Sequence, residues 1–277
     1  MKKIKKLVIV TYNIQFSQHP KEVKKTILKM ANMGTSIFCL QEVLYRPDKT
    51  FIVNVLLNKL GSDWRAIYNL GKDESFLEMG NCIIWNNKVL DLEKEQKEFL
   101  PHSESLAIHE KIFSWIAGGI TVPFQRRVII GYFKYKNISI RVTSLHLDQN
   151  GGLINRKKQL SYLMGILNKN KSIRHEIICG DFNNFDLLKR GKEAIMQNET
   201  LGKYFVDISK DSGWTADLNK IDIKIGGVFF KLLIKNLHVH VRKKLDFIWT
   251  KNILSISCRK LYLKGSDHYP LIAHLDI

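Results

Sequence analysis

Residues 127–147 read RVIIGYFKYKNISIRVTSLHL, and this stretch decides the architecture. Two apolar, β-branched runs, 127–135 and 138–147, flank the polar pair Lys136-Asn137. A two-residue polar break between such runs is the signature of an antiparallel hairpin. Working outward, runs of the same kind recur along the chain: LVIVTY (7–12), SIFCL (36–40), NCIIW (81–85), EIICGDF (176–182), LDFIWT (245–250) and YPLIAHL (269–275). Helical spacing lies between several of them. From Pro20 to Met33, Val23, Ile27, Leu28 and Met30 recur at that spacing, with proline at the start and Gly34 just past the end. From Ile154 to Leu167, Leu160, Leu163, Met164 and Leu167 share one face. Strands and helices alternate while antiparallel pairs intrude, which is a layered α/β arrangement with mixed or antiparallel sheets flanked by helices.

Composition agrees with a globule of that kind. The chain has 277 residues, 45% hydrophobic and 25% charged, which excludes disorder, collagen and coiled coil. A chain of this length folds as one large domain or two small ones and needs no disulfide or metal staple. No linker, repeat or low-complexity tract divides it. Lysine and arginine exceed aspartate and glutamate by 18 charges, which favours polyanionic partners such as nucleic acid, anionic lipid or phosphorylated ligands. A lysine-rich surface also serves plain solubility. The four cysteines, Cys39, Cys82, Cys179 and Cys258, show no zinc-type spacing, and three sit in or beside apolar runs. They read as buried free thiols in a cytoplasmic protein. The opening MKKIKKLVIV resembles a signal peptide, but its apolar part stops at Val10, so it reads as a first strand.

Polar residues stand at the ends of these runs: Asn13 after LVIVTY, Glu42 in FCLQE, His146 in RVTSLH, and Asp181 and Asn183 in ICGDFN. Asp246 lies in KKLDFIW, and Asp267-His268 opens SDHYPL. Strand ends form the rim of a rigid scaffold, where convergent polar groups build a site. Hard oxygen donors suit Mg²⁺ or Mn²⁺ better than zinc. Taken singly, each has a bland reading: a turn asparagine, a solvated glutamate, a surface Asp-His hydrogen bond. The ordered set outweighs those readings.

In order and spacing, TYNI, LQEV, SLHLD, GDFN, LDFIW and SDHYPL resemble the motifs of the endonuclease/exonuclease/phosphatase superfamily, the deoxyribonuclease I-like fold. The resemblance runs from Asn13 to Leu271 and implies one domain over 1–277. It implies a four-layered α/β sandwich of two packed, mostly antiparallel sheets with helices outside. It also implies a divalent-metal-dependent phosphoesterase. In that scheme Glu42 is the principal metal ligand, supported by Asn13 and Asp267. His268 is the general base, oriented by Asp246. Asp181 and Asn183 position the attacking water or hold a second metal, and His146 donates to a phosphate oxygen.

Substrate class is less determined. Basic clusters at Lys2–Lys6, Arg126-Arg127, Arg156–Lys158 and Arg242–Lys244 favour a nucleic-acid phosphodiester, with Arg126, Lys243 and Lys244 as candidate substrate contacts. The exonuclease III-like pattern after the first asparagine is absent, since Ile14-Gln15-Phe16-Ser17 stands there. An abasic-site repair role is therefore disfavoured. Two apolar segments, 112–124 and 225–234, put aromatic residues between motifs and keep an anionic membrane surface, and so a phospholipid or sphingomyelin head-group phosphodiesterase, in view. They read more readily as core, because apolar runs are usually buried. A small-molecule phosphatase and a non-catalytic basic nucleic-acid-binding module complete the alternatives.

Overall fold

A computed structural model describes residues 6–45, 51–72, 78–102, 125–149, 151–170, 172–184, 191–217 and 242–277; the apolar segments 112–124 and 225–234 lie outside them. In chain order the elements are β1 (Leu7–Asn13), α1 (Pro20–Asn32), β2 (Ile37–Tyr45), α2 (Ile52–Leu60), β3 (Trp64–Lys72), β4 (Glu78–Asn86) and β5 (Leu90–Phe99). There follow β6 (Arg127–Tyr135), β7 (Ile138–His146), α3 (Gly152–Lys169), β8 (His175–Asp181) and α4 (Lys192–Thr200). The short β9 (Val206–Asp207), β10 (Ala216–Asp217) and β11 (Arg242–Lys243) precede β12 (Asp246–Lys251), β13 (Leu254–Lys260) and β14 (Leu271–Asp276).

Apart from the two-stranded β10-β11 pair, the strands among the described residues form two six-stranded sheets, ordered β13-β14-β1-β2-β4-β3 and β5-β6-β7-β8-β12-β9. Each is antiparallel except for one central parallel pair, β1 with β2 and β7 with β8. Each parallel pair is joined by a helix, α1 in one sheet and α3 in the other, as a parallel connection requires. The predicted hairpin is present: Tyr135 pairs with Ile138 across Lys136-Asn137, and Lys136 takes the positive φ such a turn demands.

The sheets pack face to face. Leu7, Ile9, Ile37, Cys39, Ile83 and Trp85 of one meet Ile129, Phe133, Ile140, Val142, Ile177 and Ile248 of the other. The alternate residues of the same strands face outward, yet they are buried too. Val8, Val10, Phe38 and Leu40 are covered by Val23, Ile27 and Met30 of α1 and by Val53 and Leu56 of α2. Val128, Ile130, Leu145 and Ile178 pack with Leu160, Leu163 and Leu167 of α3 and Met196 of α4. Strands buried on both faces read as continuous apolar runs, which is why LVIV and EIIC carry no polar alternation. The result is the expected four-layered sandwich, helices outside and two sheets within. Cys39, Cys82 and Cys179 lie as free thiols in these cores. No helix among the described residues is long and apolar enough to cross a membrane.

At one end of the sandwich the interior turns polar. Gln41 of β2 donates from Nε2 to Ser144 Oγ of β7 at 3.1 Å. Asn81 of β4 donates to the carbonyl of Arg127 at 2.6 Å and to that of Ser144 at 3.3 Å. Asn69 of β3 donates to the Val128 carbonyl at 3.0 Å. Buried amides of this kind must be paired, so they hold the two sheets in one register beneath the site. Just above this layer Gly180 adopts φ +147, and a Cβ there would stand 1.9 Å from the Leu145 carbonyl oxygen. Both the dihedral and the close approach to β7 exclude a side chain. Gly180→Ala should therefore lower the free energy of unfolding by about 2–4 kcal/mol, read as a lower urea midpoint; an unchanged midpoint would contradict this packing.

Candidate active site

Parallel pairing brings strand ends together, and both central pairs end at the same rim. Asn13 and Glu42 come from β1 and β2, His146 and Asp181 from β7 and β8. Asp246 is the first residue of β12, and because β12 runs antiparallel to β8 it stands opposite Asp181. Asp267 and His268 precede β14, with His268 bridged to Ala216 of β10. The Asn13 amide joins the two sheets, donating from Nδ2 to Glu42 Oε1 at 3.1 Å and to Asp181 Oδ2 at 2.9 Å. Residues 168 positions apart in sequence thus share one hydrogen bond. Asn13, Glu42, His146, Asp181, Asp246 and His268 form one connected cluster, and Asp267 acts on Glu42 and His268 through its charge.

Local backbone distortion aims two of these groups. The β2–β4 register shifts between Leu40 and Val43, and within that bulge Glu42 adopts φ +56. A bulge re-aims a side chain that regular pleating would send elsewhere. Asn183 adopts φ +47, its N–H donating to Asp181 Oδ1 and its Nδ2 to the Leu147 carbonyl, each at 2.8 Å. That geometry ties the segment after β8 to the segment after β7.

The acids are held against their charge. Burial and the neighbouring Asp267 push Glu42 up to about 7, against the opposing pull of Asn13, Arg126 and His268. Burial pushes Asp181 up to about 6, His268 opposing and Asp246 adding to the rise. The two histidines are driven apart. Burial, then Arg126 and His268, hold His146 well below its usual range. Arg126 Nη1 stands 3.1 Å from His146 Nδ1, which must accept, so neutral His146 carries its proton on Nε2. That Nε2 lies 3.5 Å from Asp181 Oδ2 and 3.8 Å from Glu42 Oε1. For His268, burial works downward but is outweighed by Asp246, Asp181 and Asp267, so its imidazolium is held well above the ordinary range. Its Nδ1 donates to Asp246 Oδ2 at 2.9 Å, leaving Nε2 directed to Asp181 Oδ2 at 3.7 Å. One histidine is a neutral donor and the other is tethered by a carboxylate, a separation of roles suited to proton transfer.

Such a crowd of buried carboxylates fits a hard divalent cation. Glu42, only 15% exposed in its side chain, and Asp267 are the oxygen donors whose mutual repulsion a cation removes. Asp181, Asp246 and His268 also present donor atoms within 4.8 Å of one another. Within that trio the Asp246–His268 hydrogen bond already uses one donor of each. The Asn13 Oδ1 accepts the Gln15 N–H at 3.0 Å while its Nδ2 donates to both carboxylates, so its amide orients Glu42 and Asp181.

Two basic residues expected to touch substrate also have partners within the protein. Arg126 is turned to His146 and stands 3.9 Å from Asp148, and its charge adds to burial in holding the histidine neutral. Lys244 donates to Asp207 at 3.3 Å and to the Ser209 carbonyl at 2.8 Å, bracing the β9 edge of its sheet. Lys243 pairs with Ala216, whose other neighbour is His268, so it stays near the rim. The supporting residues were harder to read from sequence. Thr215 Oγ1 accepts the Leu245 and Asp246 N–H groups at 2.9 and 3.0 Å. Ser266 Oγ donates to Asp267 and accepts the His268 N–H. Asp148 anchors Asn155 of α3, and Arg156 pairs with Glu193 of α4. Only Asp148, in SLHLD, and Ser266, in SDHYPL, lay within recognisable motifs.

Solved structures match the fold over nearly the whole chain. An endonuclease/exonuclease/phosphatase from Bacteroides vulgatus superposes with a TM-score of 0.68 at 16% identity, covering 98% of this chain and 99% of the other. Zebrafish (D. rerio) TDP2, complexed with a single-strand DNA product, gives 0.66 at 14% identity, with 98% and 99% covered. A mannosyl-6-phosphatase from Bacteroides thetaiotaomicron gives 0.66 at 15% identity, with 98% and 100% covered. No protein-family model matches the chain, and no curated protein matches it in sequence. The chain has the deoxyribonuclease I-like fold of the endonuclease/exonuclease/phosphatase superfamily. At these identities the likeness establishes the fold, and activity is argued from the site.

Glu42 provides a direct test of the site's electrostatics. Its folded pKa, about 7, stands above the ordinary 4.5. Without metal its ionisation therefore destabilises the fold, by nothing below pH 4.5 and fully above pH 7. Glu42→Gln should raise the metal-free melting temperature at pH 8 by roughly 3–8 °C. It should also remove most of the melting-temperature increase that Mg²⁺ produces in the parent protein, an increase that shrinks from pH 8 to pH 6 as protons compete for the carboxylate. Differential scanning calorimetry checks both; an unaltered Mg²⁺ response in the variant would reject Glu42 as a ligand.

Proposed function

We propose that the chain is a divalent-metal-dependent phosphoesterase acting on nucleic-acid phosphodiester bonds. The observation that carries the hydrolytic reading is the Asp246–His268 pair, 2.9 Å apart, facing Asp181 in a cleft that also gathers Glu42, His146 and Asp267. Asp246 holds the His268 ring through Nδ1–H, so that the ring, once Nε2 has given up its own proton, takes the proton of an attacking water there. Asp181, backed by Asn13 and the Asn183 N–H, orients that water. Neutral His146 donates its Nε2–H to a non-bridging phosphate oxygen. The water oxygen forms a bond to phosphorus, the ester P–O bond breaks, and the electron pair leaves on the ester oxygen. Mg²⁺ or Mn²⁺ held by Glu42 and Asp267 would supply charge neutralisation of the phosphoryl and leaving oxygens.

The net charge of +18 favours a polyanionic substrate, and Lys243 near the rim offers a phosphate contact. A neighbour of the same fold holds a single-strand DNA product, which supports that reading, whereas another is a mannosyl-6-phosphatase, which keeps a small phosphate ester as the second reading. Release of acid-soluble nucleotides from DNA or RNA in Mg²⁺, abolished by EDTA, is the expected result. Release of a head group from liposomes without nucleotide release would replace it with a lipid phosphodiesterase, and binding of DNA with no turnover in any divalent metal would leave a binding module. His268→Ala should lower kcat about 10²–10⁴-fold while the fold, read by far-UV circular dichroism, is retained; retention of parental turnover would remove His268 from the role of base.

A further inference from the structure

Beside the dyad lies an aromatic cluster that the hydrolytic machinery does not use. The rings of Trp214, Tyr262 and Tyr269 meet edge-to-face in a triangle, with centroids 5.2 Å apart for Trp214–Tyr269, 5.5 Å for Tyr262–Tyr269 and 6.0 Å for Trp214–Tyr262. Two cations lie against it. The Lys260 ammonium stands 3.6 Å from the Trp214 centroid and 4.8 Å from that of Tyr262, and the Arg242 guanidinium stands 4.4 Å from Trp214. Exposure is graded: Tyr269 is buried, Trp214 is intermediate and Tyr262 is 70% exposed. An aromatic ring fixed by two others yet presented to solvent is a preorganised stacking surface, because its rotamer entropy is already lost.

The cluster is joined to the dyad by short links. Tyr269 follows His268 in the chain, and its N–H donates to the Thr215 carbonyl at 2.8 Å. Thr215 Oγ1 accepts the Asp246 N–H, and Ala216 bridges to His268. The segments that carry the cluster are thus the segments that carry and brace the dyad: Trp214 lies two residues before Ala216, and Tyr269 directly follows His268.

We infer that Trp214, Tyr262 and Tyr269, with Lys260 and Arg242, form a subsite that stacks an unpaired nucleobase adjoining the scissile phosphate. This rests on the nuclease reading above and names its substrate class, a single-stranded segment. The cations select a ligand that carries phosphate beside its flat face, as a nucleotide does and a neutral sugar does not. A fully paired duplex presents no base face to Tyr262, so the subsite favours single strands and frayed ends.

The test compares two substrates in Mg²⁺ with the full chain: a short single-stranded oligodeoxynucleotide and an abasic (tetrahydrofuran) oligomer of the same length, which carries the phosphodiesters but no base. Tyr262→Ala is expected to raise KM for the oligonucleotide roughly tenfold with kcat nearly unchanged, and to leave the abasic-oligomer kinetics and melting temperature as they were. Tyr262→Phe should restore the parental KM, and Lys260→Gln should flatten the salt dependence of oligonucleotide KM. An unchanged oligonucleotide KM in Tyr262→Ala would overturn the subsite while leaving the nuclease reading intact. Equal losses on both substrates would overturn it as a base-binding element. Turnover of bis(p-nitrophenyl) phosphate with none of DNA or RNA would remove the nuclease reading itself. A KM effect of Tyr262→Ala confined to a hexose phosphate would overturn the base in favour of a sugar.

Discussion

Four carboxylates, Glu42, Asp181, Asp246 and Asp267, meet in one largely buried cleft, and their mutual repulsion is the constraint around which the rest of the molecule is arranged. Charge taken out of water must be paired, neutralised or protonated. Asp246 is matched by His268, and Asp181 by the Asn13 amide and the Asn183 N–H. Ser266 supports Asp267, while Glu42 has the Asn13 amide and the more distant Arg126 and His268. The arrangement is unfavourable for an isolated fold and would be relieved by the cation of the proposed reaction. The large apolar cores on either side of the cleft carry that local cost.

The scaffold serves this constraint through topology. One parallel pair in each sheet delivers two strand ends to the same rim, and the antiparallel neighbour β12 delivers Asp246 there by its beginning. Below the rim, Gln41, Asn69 and Asn81 cross from one sheet to the other, so the two halves of the site cannot slide independently. The positive φ of Glu42 and of Asn183 is strain placed where the site needs a particular aim, and it persists because bulge and hydrogen bonds over-determine it.

Much of the fold was legible in the residue pattern. Each of the eight apolar runs is a strand, and both predicted helices are present, extended in α3 to Gly152–Lys169. The strands that escaped notice, β3, β5, β9, β10, β11 and β13, are sheet edges or two-residue pieces. β5, LDLEKEQKEF, is largely exposed, so nothing in its composition separates it from a polar loop. The candidate site was legible because its members sit in short ordered motifs. The partners that set protonation were not. Arg126 and Lys244 read as substrate contacts because they are basic, and nothing in their order along the chain announces that Arg126 also faces His146 and Lys244 also faces Asp207. A side chain's type announces its charge, whereas its neighbour depends on where distant strands finish.

From the residues alone came the layered α/β class, the oxygen-rich donor set and the basic balance, because burial on two faces, ligand hardness and net charge are properties of local composition and order. Only the tertiary structure decided that Asn13 bridges two carboxylates, that His146 is neutral while His268 is held charged, and that Trp214, Tyr262 and Tyr269 gather beside the dyad. Those outcomes depend on distances of a few ångströms between segments remote in sequence, and electrostatics and hydrogen bonding respond to such distances rather than to order along the chain.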